Sequence, residues 1–159
     1  MMLHSESSVP APRTSGPSAD EAPPAGRGGG TSRFVLVVEG DDALRHILLR
    51  VVARAGYDVA GATAAAEALE ELRGRPAVDA LLADVALSDM DGIALARHVR
   101  AAHPGVRVLL MGGPEKVARV EREALAHVIV RKPFTLRELT ASLRAAFHDA
   151  VNPGTGAPL

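Results

Sequence analysis

The chain has 159 residues, room for one ordinary domain, and 47% of its side chains are hydrophobic while only 3% are aromatic. Its core must therefore be built from Ala, Val and Leu, which suits parallel strands covered by Ala-rich helices. Acidic and basic side chains nearly balance at a net charge of −1, which argues against a nucleic-acid surface, and the absence of cysteine excludes a disulfide framework, a thiol nucleophile and a Cys-ligated metal.

Residues 1–33 are Pro, Gly, Ser and Ala with few large apolar side chains. Such a segment cannot bury enough surface to offset its ordering entropy, and it is predicted to be a disordered extension. Its first residues, Met1 to Glu6, lack the basic start and apolar run of a signal peptide. No apolar stretch is long enough to cross a bilayer, so the expectation is a cytoplasmic protein without membrane association. Gly26 to Gly30 precedes the first strand instead of following one, and reads as a linker, not a phosphate loop.

From 34 to 150 the pattern alternates five times. Phe34-Val35-Leu36-Val37-Val38 is the continuous apolar run of a strand buried on both faces. Leu44, Ile47, Leu48, Val51, Val52 and Ala55 recur at helical spacing, and Gly56 ends that helix. Strands are predicted at 57–60, 78–83, 106–111 and 127–130. The intervening helices are placed at 64–72, 92–102 and 115–125. A last helix carries Leu136, Leu139, Leu143, Ala146 and Phe147 on one face, and 151–159 form a flexible tail. Five βα units imply a parallel sheet with helices on both faces, with the site at the carboxyl ends of its strands.

Three of those strand ends carry charge. Glu39-Gly40-Asp41-Asp42 follows the first strand, Asp84 the third and Lys132 the fifth. A doubly wound order of 2-1-3-4-5 brings them together. Crowded carboxylates repel unless a cation sits among them, and oxygen-only ligands suit Mg²⁺. A carboxylate beside a metal and a lysine is equipped to attack a phosphoryl group. Asp84 taken alone could equally cap a turn or helix. Asp41 and Asp42 are also natural caps, and Asp89 and Asp91 are most simply turn residues, Asp91-Gly92 being a turn signal. The histidines fall on separate elements without ligand spacing.

Val-Val-Glu-Gly-Asp-Asp-Ala-Leu-Arg at 37–45, Asp-Val-Ala-Leu-Ser-Asp-Met-Asp-Gly at 84–92, His-Pro-Gly-Val-Arg-Val-Leu-Leu-Met at 103–111 and Arg-Lys-Pro-Phe at 131–134 resemble the receiver domains of two-component response regulators. The resemblance covers the whole region expected to be ordered. It implies a flavodoxin-like α/β receiver fold and a non-enzymatic role as a single-domain receiver. Asp84 then stands at the position that accepts phosphate from a histidine kinase or phosphotransfer protein. Lys132 stands where the family's lysine contacts the phosphoryl group, with a cis peptide to Pro133. The metal candidates are Glu39, Asp41, Asp84 and the backbone carbonyl of Ala86. A downstream protein would meet the face formed by the fourth helix, fifth strand and fifth helix. Arg119, Arg122, Arg131, Arg137 and Arg144 enrich that face.

The chain departs from the family at three places. Gly40 stands where a second acid is usual, which implies weak Mg²⁺ binding. Gly112 replaces the hydroxyl residue after the fourth strand, and Ile129 replaces the switch aromatic. These leave open an alternative, a pseudo-receiver whose binding does not depend on phosphate. A flavodoxin-like cofactor binder would need a Ser/Thr/Gly-rich loop after the first strand, where this chain has acids that repel phosphate. A haloacid-type phosphatase would need its nucleophilic aspartate there, and the position is Glu39.

Overall fold

The computed structural model describes residues 32–148; most of the predicted extension at 1–33, and all of the tail at 151–159, lie outside the described residues. The elements alternate as β1 (Phe34–Val38), α1 (Asp42–Arg54), β2 (Asp58–Ala62), α2 (Ala65–Gly74), β3 (Ala80–Asp84), α3 (Gly92–Ala102), β4 (Arg107–Gly112), α4 (Pro114–Glu123), β5 (Val128–Arg131) and α5 (Leu136–His148). All strand pairs are parallel, and the sheet order is β2-β1-β3-β4-β5, as the sequence predicts.

The period of two along a strand divides the core. Leu36, Val38, Leu81, Ala83, Val108 and Leu110 point to one face and pack against α2, α3 and Val120 of α4. Val35, Val37, Ala80, Leu82, Leu109, Met111 and Val130 point to the other and meet α1 and α5. Both faces of the central strands are dry, which is why they read as unbroken apolar runs. Small residues such as Ala65, Ala68 and Ala96 are fully buried and let the helices approach the sheet closely.

Several boundaries differ from the sequence reading. β3 runs through Asp84, which pairs with Met111, and β4 runs through Gly112, which pairs with Arg131. The ladder therefore reaches residues that the pattern places in loops. α4 stops at Glu123 and not at Leu125 because Ala124 adopts a left-handed conformation, φ 46°. The Arg100 guanidinium holds that turn by donating to the Ala124 and Leu125 carbonyls. Ile47 and Leu136, assigned to apolar helix faces, stand 49% and 55% exposed. Gly56 ends α1 with φ 94°, the conformation for which glycine is favoured.

Candidate phosphoacceptor site

The register fixes the site. Val38 lies opposite Ala83, so Glu39 and Asp84 leave adjacent strand ends side by side. The Lys132 amide donates to the Gly112 carbonyl at 2.9 Å, which brings the residue after β5 to the same edge. Lys132 Nζ lies 3.1 Å from Glu39 Oε2 and 3.2 Å from Asp84 Oδ2. The two carboxylates are only 3% and 8% exposed. Buried acids so close together would repel, and a lysine bridging both offsets that repulsion. The peptide from Lys132 to Pro133 is cis.

Each acid also has a second anchor. Asp84 Oδ1 accepts from the Ala86 amide at 3.1 Å, and Glu39 Oε1 accepts from the Asp41 amide at 3.0 Å. Asp41 in turn spends Oδ1 on the Leu44 amide at 2.7 Å, the N-cap of α1. Of the metal candidates, Glu39 and Asp84 thus converge, while the Asp41 carboxylate is turned to its helix. Among the described residues no group of three His, Cys, Asp or Glu is placed to hold a metal ion. Two carboxylates and a carbonyl still match the donor set of Mg²⁺, which commonly binds through one or two carboxylates and keeps several waters.

A cavity of about 540 Å³ opens over Asp84. It is lined by Asp84, Ala86 and Lys132 and by Gly113 to Lys116 at the start of α4. Gly112 closes β4 beside it. Ile129 is half-buried on β5 against the core and borders a separate shallow groove with Phe134. Of the arginines on the helix-four to helix-five face, Arg119 pairs with Asp91 and Glu123, and Arg131 pairs with Glu121.

Four residues of the site were not singled out by the sequence. Gly92 opens α3 so close to Asp84 that an added Cβ would lie 2.2 Å from the Asp84 carbonyl oxygen; the Asp91-Gly92 turn signal marked the position but not the reason. Asp89 is more than a turn residue: its carboxylate accepts from the Ala65 and Ala66 amides and caps α2, whose own N-cap, Ala64, cannot. Those bonds, Ala66 first, hold the Asp89 carboxyl below its ordinary range. Arg45 donates to the Glu39 carbonyl at 2.8 Å and to Asp42 Oδ1 at 2.5 Å, so it clamps the acidic loop from α1. Lys116 brings a second ammonium-bearing side chain to the cavity. Asp89 and Lys116 depend on sequence separation or helix packing that no short motif encodes, whereas the Arg45–Asp42 spacing of i,i+3 was open to the sequence.

The model of the response regulator receiver domain matches residues 35–144. The response regulator receiver protein CpdR of Brucella abortus (strain 2308) is 33% identical over 110 residues, covering 66% of this chain and 88% of CpdR. The sensor kinase CckA of the same organism is 34% identical over 118 residues, covering 71% of this chain but only 12% of CckA. The fold is that of a CheY-like receiver domain protein from Methanospirillum hungatei JF-1, with a TM-score of 0.70 at 22% identity over 78% of this chain and all of that one. No described helix is long and apolar enough to cross a membrane. The chain belongs to the response regulator receiver domain family of two-component signalling.

Proposed function

We propose that this receiver accepts a phosphoryl group on Asp84 from a histidine kinase or phosphotransfer protein and passes the signal on by protein contacts. The observation that carries the reading is Lys132, whose ammonium lies 3.2 Å from Asp84 Oδ2, both residues lining one cavity. In the transfer, the bond from phosphorus to the donor breaks and a bond to an Asp84 carboxylate oxygen forms. Lys132 then neutralises charge on the transferring oxygens. Receiver domains generally bind Mg²⁺ at this site; here Glu39, Asp84 and the Ala86 carbonyl would hold it, with water completing the shell. The ion would supply further charge neutralisation at the phosphoryl oxygens.

Incubation with acetyl phosphate and Mg²⁺ should add one phosphoryl group by intact mass, and Asp84→Asn should abolish it. Modification that persists in Asp84→Asn refutes the assignment. A wild-type chain that stays unmodified favours the second reading, a phosphate-independent binding module. Gly40 and Gly112 support that alternative, since neither offers a side chain to metal or phosphate.

A further inference from the structure

The cavity over Asp84 is lined by two charged side chains that the phosphoacceptor reading does not use, Glu115 and Lys116. Lys116 sits in the first turn of α4 and lines the same cavity as Asp84 and Lys132. Helix physics gives no reason for a lysine there, because the N-terminal end of a helix favours acids and opposes cations. Nor does a partner explain it. Arg97, Arg119 and Arg131, on and around α4, sit in ion pairs, whereas among the described residues Lys116 makes none, and neither does Arg122 at the far end of the same helix. It is exposed on a flexible four-carbon stem.

Gly112 explains how the lysine comes to border the site. A Cβ built at residue 112 would stand 3.3 Å from Lys116 Cβ and 3.5 Å from Val85 Cγ2. The stem of Lys116 thus flanks the space that a side chain at 112 would occupy. The place of the missing hydroxyl and the base of the lysine therefore adjoin.

We propose that Lys116 is a second phosphoryl-contacting residue, whose ammonium takes over the contact that a hydroxyl at position 112 would make. The inference rests on the reading of Asp84 as phosphoacceptor. The α4 turn adds charge of the same sign, since Gly113 caps it without a side-chain bond and Pro114 follows at the first helical position. Glu115 lines the same cavity and opposes an anion, so its removal has the opposite sign.

Beryllofluoride, an analogue of the phosphoryl group, tests this when titrated in Mg²⁺ into the full chain, with amide shifts of Gly112 and Gly113 as readout. Lys116→Met should weaken binding about tenfold, near the low end for a hydrogen bond to a charged group, and Lys116→Arg should keep most of it. The double variant Lys116→Met with Gly112→Ser should recover affinity, because the hydroxyl then replaces the ammonium. Glu115→Gln should tighten binding about twofold, the scale of an exposed charge pair. Wild-type affinity in Lys116→Met overturns the inference and leaves Asp84 as phosphoacceptor. A wild-type chain that neither binds beryllofluoride nor takes phosphate from acetyl phosphate overturns the Asp84 reading, and this inference with it.

Discussion

Gly92→Ala should unfold the domain far more readily than its one added methyl group suggests. The new Cβ would lie 2.2 Å from the Asp84 carbonyl oxygen, 2.7 Å from Val85 Cα and 3.0 Å from the Asp84 carbonyl carbon. All three are backbone atoms at the end of a central strand, so no side-chain rotation can relieve the overlap. Either α3 lifts from the sheet, breaking the 3.0 Å bond from the Gly92 amide to the Val85 carbonyl, or the Asp84 backbone shifts out of its pairing with β4. Overpacking of this kind costs about 3 kcal/mol or more when backbone must move. For a domain of this size that lowers Tm by about 10 °C. Gly105→Ala is the control, since a Cβ there meets nothing within 4 Å. Thermal unfolding by circular dichroism reads both. A Gly92→Ala variant that melts within a degree or two of wild type would show that the α3 start is not packed against Asp84 as described.

Gly40→Asp should tighten Mg²⁺ binding and speed phosphorylation by acetyl phosphate, because a Cβ at residue 40 makes only an ordinary 3.6 Å contact with the Thr63 carbonyl; unchanged Mg²⁺ affinity by calorimetry would mean that another residue already fills the place. Hydrogen bonds hold three exposed carboxyls below their ordinary values: Asp89 through the Ala66 and Ala65 amides, and Glu67 and Glu138 through the amides and then the hydroxyls of Thr63 and Thr135. A lowered folded-state value contributes stability that is present above the unfolded value, about pH 4, and is lost as pH falls through the folded one. Urea midpoints should therefore fall on acidification below that range, and Asp89→Asn should make the fall shallower; a slope equal to that of wild type removes Asp89 as a cap of α2.

The architecture was legible because it rests on local periodicity. Runs such as Phe34 to Val38 are apolar at every position only when both faces of a strand are covered, and the spacing of Leu139, Leu143, Ala146 and Phe147 allows only a helix with one buried face. Five such alternations leave little choice but a parallel sheet, and the motifs around Glu39, Asp84 and Lys132 mark which strand ends carry charge. What the sequence could not decide are contacts between segments distant in the chain. Asp89 reads as a turn residue until α2 lies against it, 23 or 24 residues away. Gly92 reads as turn punctuation until α3 descends onto the Asp84 backbone. Arg119 and Arg131 read as surface charge until packing brings Asp91 at the start of α3 to the one and Glu121 of α4 to the other. Lys116 stands out nowhere in the linear chain, and only the packing of α4 beside Gly112 brings it to the cavity that Asp84 also lines. Periodicity and strand-end chemistry are written into neighbouring residues, whereas capping across loops, close backbone approach and the walls of a cavity exist only once the helices have packed on the sheet.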